Sequence, residues 1–421
     1  MKSQVLYLSW NSIESPLVQS QVLAYLRGLA AKGWGFRLVT LETGRSQGWL
    51  AARAQELVQS LESTPAAGKI QWHPVVVPAQ LARLGTVTRL WAMRRHVRAI
   101  LQRHPLALVH ARSYLPGWVA AKVCSPAGVP WLFDTRGFWV DEKVDKGGLK
   151  AGGPVYSILK RMERKLYRQA DAVVMLAEAG VQAAKKHTLL PEYTPVRVIP
   201  TCVDINRFRP APGDPKKRLL CVGSVGPGYL GKEVFRLFAL MQRLFPEYDC
   251  ELCTRSDRRL IERLQRESGV DVRRLRVFSR PHAGMSELLS AGGIGVSLIE
   301  PHASKQASCP TKVGEYLACG MPVIYNPGIG DMDTVLDAGQ VAVRCSDFSQ
   351  AGLENTVRQA VALFESPHTQ RQCRQLAQDY FSLDRGVDSY DGLYRLLTET
   401  QSSGFSGKAR FVSADFRERL P

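Results

Sequence analysis

Two segments of the chain combine glycine, lysine and glutamate in patterns that suit a ligand containing phosphate. The first, GPGYLG at residues 226–231, follows an apolar run and precedes a helical pattern, so its glycines let backbone N–H groups approach a diphosphate. The same GxGxxG pattern, with Glu247 and Asp249 about twenty residues later, is typical of dinucleotide-binding enzymes. An NAD-dependent oxidoreductase is therefore one interpretation, although Pro227 stiffens a turn that normally folds tightly.

The second segment begins at Ser308 and predicts a loop, a short helix, a glycine stop and a buried strand. Pro310 suits the first helical turn, and Ser308 or Thr311 suits the cap. The N–H groups of such a helix start, together with Lys312, offer a positive pole to a phosphate. Glu315 is then placed to accept hydrogen bonds from a vicinal diol such as a ribose. An exposed Lys–Glu pair on an ordinary helix has the same spacing and remains an alternative.

No arrangement of residues predicts a metal site. Asp331 and Asp333 have the spacing of a magnesium-binding pair, but acidic residues also favour the first turn of a helix, which explains them better. Cys250 and Cys253 form a CxxC without a second pair or a histidine cluster at a zinc-like interval. We therefore expect the nine cysteines to be reduced core thiols.

Composition excludes a disordered chain and a membrane-spanning one. Of the 421 residues, 45% are hydrophobic and 22% are charged, as in ordinary globular proteins. The apolar runs have the length of strands, well below the roughly 20 residues of a membrane-spanning helix, and the short run at residues 5–8 does not resemble a secretory signal. We therefore expect a cytoplasmic protein.

An excess of basic residues predicts partners that carry phosphate. Lysine and arginine number 56 against 38 acidic residues, a formal net charge of +18. Nucleotides, nucleic acids and anionic lipids all attract such a chain. A non-enzymatic nucleic-acid-binding protein is an alternative, but arginines are spread over both halves and aromatic residues do not interleave with a basic run. No nucleic-acid partner is therefore expected.

Strand and helix patterns alternate along the chain in two series. Strands are expected at residues 5–9, 36–41, 70–77, 106–110, 131–134, 172–176 and 196–199, and again at 218–222, 250–253, 275–278, 294–299, 322–325 and 341–344. Such alternation predicts parallel sheets with helices on both faces, that is, two doubly wound Rossmann-like α/β domains. Ligands of such sheets bind outside the carboxyl ends of the strands.

A proline-rich segment at residues 200–217 separates the two series. We expect an N-terminal domain at residues 1–205 and a C-terminal domain at residues 206–380. A C-terminal helix at 381–400 is expected to pack back toward the N-terminal domain, and a loosely ordered tail is expected at 401–421.

With these segments, the chain resembles the family-4 retaining glycosyltransferases, whose GT-B fold has two Rossmann-like domains facing a cleft. The run PTKVGEYLACGMPVI at residues 310–324 is similar to the donor-site signature of that family, and VIPTCVDINRFRP at 198–210 is similar to its interdomain segment. The resemblance covers about residues 4–398. It implies metal-independent, retaining transfer of a hexose-type unit from a nucleotide-sugar donor to a glycan or lipid-linked acceptor in cell-surface polysaccharide biosynthesis, without a cofactor.

The resemblance also implies roles for single residues on the donor side. Glu315 matches the glutamate that binds the ribose, while Ala307 stands where the family has a second glutamate, for which Ser308, Lys312 or Glu300 would compensate. After the first strand of the second domain come Gly223 and Ser224; Ser224 stands where a diphosphate-binding arginine is expected, and Lys232 is a displaced candidate for the lysine. Lys232, Lys312 and the helix N-termini would stabilise the negative charge of the departing diphosphate.

On the acceptor side, Arg136 falls near the position of the family's first-domain histidine. Arg136, Asp134 and His110 are the candidates for contact with the acceptor. For His110, a packed histidine at a strand end is an equally good interpretation.

A basic segment at residues 89–101 has two interpretations. Leu90, Met93, Val97, Ile100 and Leu101 share one stripe of a helix, and arginines flank it. Most such helices pack on a sheet and expose a solvated basic face. The other interpretation is peripheral docking on an anionic surface, at the inner face of the plasma membrane.

Overall fold

The computed structural model describes residues 4–62 and 64–402, and the contacts divide the chain into two compact units. Of the described residues, the first unit comprises 4–62, 64–140, 149–199 and 384–402, and the second comprises Asp141–Gly148 and Pro200–Leu383. The division between the units thus falls at the start of the proline-rich segment. The tail expected at 401–421 lies, from residue 403 onward, outside the described residues.

The first unit is built on a seven-stranded parallel sheet of order β3-β2-β1-β4-β5-β6-β7. Its strands are β1 Gln4–Leu8, β2 Gly35–Thr43, β3 Ile70–Val77, β4 Leu108–Arg112, β5 Trp131–Asp134, β6 Ala172–Met175 and β7 Val196–Val198. Its helical segments are α1 Pro16–Val18, a π-helical turn Gln19–Leu23, α2 Ala24–Ala31, α3 Gln47–Glu62, α4 Ala79–Ala82, α5 Thr86–Arg103, α6 Tyr114–Ala127, α7 Trp139–Asp145, α8 Pro154–Gln169 and α9 Glu178–Lys186.

The second unit is built on a six-stranded parallel sheet of order β10-β9-β8-β11-β12-β13. Its strands are β8 Arg218–Val222, β9 Asp249–Cys253, β10 Leu275–Phe278, β11 Ile294–Ser297, β12 Val323–Tyr325 and β13 Ala342–Arg344. Its helices are α10 Gly231–Leu244, α11 Arg258–Ser268, α12 Met285–Ser290, α13 Thr311–Ala318, α14 Met332–Gly339, α15 Gln350–Glu365 and α16 Thr369–Tyr380, with 3-10 turns at Val272–Arg274, His282–Gly284 and Ala303–Ala307.

The last helix, α17 Leu383–Ser402, belongs from Asp384 onward to the first unit. The indole N–H of Trp34 donates to Asp391 Oδ1 at 2.7 Å, and the ring of Tyr390 packs edge-on against Tyr25. Tyr390 and Tyr394 are both buried. These contacts complete the hydrophobic core of the first unit with side chains from the far end of the sequence.

The predicted fold class is confirmed, and three strands, β2, β4 and β11, end two residues away from their predicted ends. β4 was expected to end at His110, yet it continues to pair with β5 as far as Arg112, opposite Asp134. A hydrophobicity pattern misses this end because Arg112 is charged. β11 stops at Ser297 because Ile299 instead forms an antiparallel bridge with Tyr229.

The basic helix α5 packs its predicted apolar stripe inward. Met93, Val97 and Ile100 are buried in the first unit. Within residues 4–62 and 64–402, no helix combines the length and the apolar character needed to cross a membrane.

Helix α13 is held against the second sheet by one aromatic side chain. Tyr316 is buried, and its hydroxyl accepts a hydrogen bond from the backbone N–H of Val222 at 2.8 Å, at the end of β8. Its ring lies against Gly295 in β11, where an added Cβ would come within 2.4 Å of a ring carbon. The absence of a side chain at Gly295 therefore sets how closely α13 approaches the sheet.

Gly295→Ala is expected to destabilise the second unit by about 1–3 kcal/mol, because the methyl group overpacks the site of Tyr316. Urea unfolding followed by far-UV circular dichroism measures the change, because all eight tryptophans lie in the first unit. Gly48→Ala is the control, since no atom lies within 4 Å of its added Cβ and alanine favours the helix. Equal stability of Gly295→Ala and wild type would contradict the close packing of Tyr316.

Candidate functional site

The loops after β8 and β11 meet at the carboxyl edge of the second sheet. The backbone N–H of Glu300 donates to Gly228 O at 3.2 Å, and Tyr229 bridges Ile299. Neighbouring strands β8 and β11 are connected onward in opposite directions, so this is the point of the sheet where a ligand crevice opens. The sequence-predicted phosphate loop therefore lies at the expected place.

Two backbone N–H groups of the glycine loop already donate hydrogen bonds to serine hydroxyl groups. The N–H of Val225 donates to Ser256 Oγ, and that of Gly226 donates to Ser224 Oγ, both at 3.1 Å. A Cβ on Gly231 would come within 2.2 Å of Val225 O, so this glycine permits the close approach of α10 to the loop. Ser224, which stands at the position of the family's arginine, thus acts here as a partner of the backbone.

The structure argues against the dinucleotide interpretation of this loop. Asp249 is the first residue of β9 and Glu247 precedes it, so both lie toward the amino edge of the parallel sheet. A ribose-binding acid of a dinucleotide site must lie at the carboxyl edge. At that edge, β9 is followed instead by Thr254 and Ser256, whose hydroxyls bond to each other at 3.0 Å.

Lys312 reaches the glycine loop from the start of α13. A Cβ on Gly223, which has φ of +112°, would lie 3.4 Å from Lys312 Nζ, and this amine lies 5.1 Å from the centroid of the Tyr229 ring. The amine therefore stands beside the loop at which a diphosphate is predicted. Gly223 and Lys312 come together although they are far apart in sequence.

The start of α13 differs from the sequence expectation. Pro310 occupies the position before the helix, and no side chain caps the first turn, so neither Ser308 nor Thr311 acts as the predicted cap. Both residues are half-buried. The first N–H groups of α13 are consequently left without a side-chain acceptor, next to Lys312, where they favour an anion.

Glu315 is a buried carboxyl group, and the interpretation as an exposed Lys–Glu pair is wrong. The residue is 6% exposed, and no residue described in the structure donates a hydrogen bond to its carboxyl group. Burial raises the pKa of Glu315 to about 7, and the cations of Arg207 and Lys312 offset this only in part. A buried carboxyl group without donors suits a ligand that brings hydroxyl groups of its own.

Two residues near Glu315 have no distinctive signal in the sequence. His282 Nδ1 lies 4.0 Å from Glu315 Oε1, and burial together with the charge of Arg207 lowers the pKa of His282, so the imidazole is neutral. Arg207 donates through Nη2 to the carbonyl oxygens of His282 and Ala283 at 2.9 and 3.1 Å. Arg207, within the predicted linker, thus positions a histidine beside the candidate ribose site.

Three further donor-side positions were identified from the sequence: Ala307, Glu300 and Lys232. Ala307 is fully buried and presents no polar group, and Glu300 pairs with His302 at 3.1 Å. Lys232 is exposed in the first turn of α10. Among residues 4–62 and 64–402, no group of three or more His, Cys, Asp or Glu side chains is arranged to hold a metal ion.

In the first unit, the three acceptor-side candidates form one cluster. His110 is 1% exposed; its Nδ1 lies 2.6 Å from the Tyr394 hydroxyl and its Nε2 lies 3.5 Å from Asp134 Oδ2. Tyr390 also donates to Asp134 Oδ2, at 3.1 Å. His110 therefore occupies the packed position that the sequence left open, and burial lowers the pKa of its imidazole.

Asp134 and Arg136 form the charged part of this cluster. Arg136 Nη1 lies 3.8 Å from Asp134 Oδ1, and Nη2 donates to Gln21 Oε1 at 3.1 Å. Burial alone would raise the pKa of Asp134, but Arg136, His110 and Arg112 outweigh burial and hold that pKa below its ordinary value. Arg136 has φ of +61°, an uncommon conformation for a non-glycine residue and one that recurs at functional sites.

Comparison with known proteins agrees with this architecture. Residues 18–202 match the family described as glycosyl transferase 4-like domain, whereas no curated protein matches the chain significantly in sequence. Sucrose-phosphate synthase from Thermosynechococcus elongatus has a similar structure, with 18% identity and a TM-score of 0.71 over 95% of this chain and 100% of that chain.

Two further solved structures show the same fold. Anabaena HepE in complex with UDP and glucose is 13% identical, with a TM-score of 0.64 over 93% of this chain and 99% of that one. WaaG, a glycosyltransferase involved in lipopolysaccharide biosynthesis, is 16% identical, with a TM-score of 0.64 over 91% and 98%. The chain therefore shares the GT-B fold of these proteins, and its residues 18–202 match the glycosyl transferase 4-like domain.

Proposed function

We propose that the chain transfers a hexose-type sugar from a nucleotide-sugar donor to a glycan or lipid-linked acceptor, with retention at the anomeric carbon and without a metal ion. The donor binds to the second unit, and the product belongs to a cell-surface polysaccharide. Retention and the cell-surface role rest on the family resemblance. The donor site rests on the residues of the second unit.

The observation that carries the proposal is the position of Glu315 behind Lys312 at the start of α13. The buried carboxyl group has no donor from the described residues, and the lysine amine stands beside Gly223. A nucleoside diphosphate supplies both missing partners, since its ribose hydroxyls donate to a carboxylate and its phosphates accept from an amine. HepE, which has the same fold, was solved with UDP and glucose.

The charge that develops during transfer explains why cations are needed at this edge. When the sugar leaves a nucleoside diphosphate, negative charge grows on the β-phosphate. Lys312 and the uncapped first turn of α13 would stabilise that charge, and the exposed Lys232 at the start of α10 would be a second cation.

The proposal of metal independence is supported by the hydrogen bonds of Asp331 and Asp333, the candidate magnesium-binding pair. Asp333 Oδ2 accepts a hydrogen bond from the N–H of Gly328 at 2.9 Å, and Asp331 Oδ2 lies 3.3 Å from the donating hydroxyl of Tyr380. Both carboxylates therefore hold the start of α14, as acidic residues in a first turn commonly do.

An exposed apolar stripe supports an anionic membrane surface as a partner. Leu84, Val87 and Trp91, before and along α5, are 71%, 77% and 60% exposed. The guanidinium of Arg95 lies 5.7 Å from the centroid of a Trp91 ring, and Arg98 is exposed in the same helix. Apolar and aromatic side chains beside arginines suit insertion between anionic headgroups. These residues are not those of the apolar stripe predicted from the sequence, in which Met93, Val97 and Ile100 are buried.

Lys312→Gln is expected to weaken binding of the donor about 10- to 100-fold, because a charge-assisted hydrogen bond to the diphosphate is lost. Thermal-shift screening of the wild type against UDP-, GDP-, ADP- and dTDP-sugars and NAD(H) first identifies the donor, and calorimetric titration then compares the variants. Lys216→Gln, an exposed lysine before β8, is the control. Stabilisation by NAD(H) alone, or equal affinities for all three proteins, would refute the proposed site.

Binding of a nucleotide sugar is expected to tighten as the pH rises from about 6 to about 8, since only the ionised Glu315, with a pKa of about 7, accepts hydrogen bonds from both ribose hydroxyls. Glu315→Gln removes this dependence. Calorimetry at several pH values measures it, with Lys216→Gln as the control that keeps the slope. A flat profile for the wild type would remove Glu315 from the site.

Glu315→Gln is also expected to change the stability of the ligand-free protein. Because the folded-state pKa of Glu315 lies above its unfolded value of 4.5, its contribution to stability is present below pH 4.5 and is lost as the pH rises through about 7. Glu315→Gln is therefore expected to unfold at higher urea concentration than wild type near pH 8, by on the order of 1–3 kcal/mol. A less stable variant would mean that protein groups satisfy the carboxylate.

Trp91→Ala combined with Val87→Ser is expected to abolish most sedimentation of the protein with vesicles of anionic lipid, because the inserted apolar surface is removed. Neutral vesicles and high salt are expected to prevent binding of the wild type. Val58→Ser, which changes a 56% exposed valine on α3, is the matched control. Undiminished binding of the double variant would exclude this stripe as the docking surface.

A further inference from the structure

The first unit contains a buried arginine that has no hydrogen-bond partner among the described residues. Arg112, the last residue of β4, is 8% exposed, and its Nε is buried without a hydrogen bond to any described residue. Its side chain also forms no ion pair within the part of the chain that the structure describes. A guanidinium in this state costs free energy, because a buried charge normally requires a counter-charge and acceptors.

A second buried arginine, Arg218, has both a carboxylate partner and carbonyl acceptors. Arg218, at the start of β8, is 2% exposed. It donates to Glu251 Oε2 at 2.6 Å and to the carbonyl oxygens of Gly292 and Leu288 at 2.7 and 2.6 Å. Arg218 is thus a structural cation, whereas Arg112 is buried to a similar degree with none of these partners.

The groups around Arg112 leave positive charge uncompensated. Arg136 is a second cation, and Asp134 is the one carboxylate among the groups that influence the pKa of Arg112. Burial lowers the pKa of His110 and raises the pKa values of Tyr7 and Tyr390, so all three are neutral. Two guanidinium groups therefore face one carboxylate, which already pairs with Arg136.

The position of Arg112 is the ligand-binding edge of the first sheet. Strands β1 and β4 are neighbours and are connected onward in opposite directions, so the crevice of this sheet opens between them, at the end of β4. Helix α6 begins at Tyr114, directly after Ser113, which has φ of +72° and does not cap it. The uncapped first turn of this helix adds partial positive charge two residues after Arg112 in the chain.

We propose that Arg112, Arg136 and the first turn of α6 bind a phosphate group, and that the acceptor substrate carries this group. The assignment to the acceptor rests on the proposed function; the anion site itself does not. A phosphate is favoured over a carboxylate because a tetrahedral anion of up to two charges neutralises the excess and presents oxygens both to the planar guanidinium groups and to backbone N–H groups.

The site is tested with inorganic phosphate as the probe, against sodium chloride at equal ionic strength. Phosphate is expected to raise the melting temperature of the wild type by several degrees and that of Arg112→Met by clearly less, because only the donor-side anion site remains. Arg103→Met, at the exposed end of α5, is the matched control and keeps the full response. A wild type that does not respond, or an Arg112→Met that responds as the wild type does, would overturn the proposal.

Two further measurements separate this site from a structural role and from the donor site. Without ligand, Arg112→Met is expected to be at least as stable as wild type, since an unpaired buried charge is removed; a clearly lower melting temperature would show that the protein itself satisfies Arg112. Arg112→Met is also expected to keep the nucleotide-sugar response that Lys312→Gln loses. Failure of one site is thereby distinguished from failure of the other.

The source of the phosphate is distinguished by comparing probes of increasing size. Inorganic phosphate, glycerol phosphate, a hexose phosphate and vesicles containing phosphatidic acid are each titrated into wild type and Arg112→Met. An Arg112-dependent affinity for a carried phosphate above that for inorganic phosphate supports the acceptor assignment. Equal or weaker affinity for every carried phosphate overturns that assignment and identifies free phosphate as the ligand.

Discussion

A parallel sheet opens a crevice at its carboxyl edge where two neighbouring strands are connected onward in opposite directions, and both sheets of this chain place ionisable residues at that point. In the first sheet the crevice lies between β1 and β4, and Arg112 ends β4. In the second it lies between β8 and β11, where the glycine loop meets the segment that leads to α13. Strand order thus determines where binding chemistry is possible, and the side chains determine which chemistry occurs there.

Each crevice holds a buried ionisable group that the described part of the protein leaves without a hydrogen-bond partner, Glu315 in the second unit and Arg112 in the first. Such groups reduce the stability of the ligand-free protein, because desolvation is not offset by partners. A ligand that supplies the partners stabilises the folded state in proportion to its concentration. Arg218, which is equally buried but fully bonded, shows that the fold can satisfy a charge where binding is not required.

The strands were predictable to a useful degree, and the environments of the site residues were not. Ile70–Val77, Trp131–Asp134, Arg218–Val222 and Leu275–Phe278 have the predicted bounds, because hydrophobic runs there end where the pairing ends. β4 runs past its apolar residues to Arg112, so hydrophobicity could not locate its end. The spacing of Lys312 and Glu315 indicated a ribose and phosphate site but equally an exposed pair, since the burial of Glu315 depends on Gly295 and His282, which come from other segments.

By itself, the sequence determined the alternation of strands and helices, the separation into two series near Pro200, and the local order of glycine, lysine and glutamate in the donor segment. These features depend on residue type and short spacing, which act over one or two turns of chain. Only the tertiary structure decided that Lys312 faces Gly223, that His110 is packed against Tyr394, and that Arg112 Nε is buried without a hydrogen bond to any described residue. The reason is physical: desolvation and charge pairing depend on every segment packed around a group, and those segments come from distant parts of the sequence.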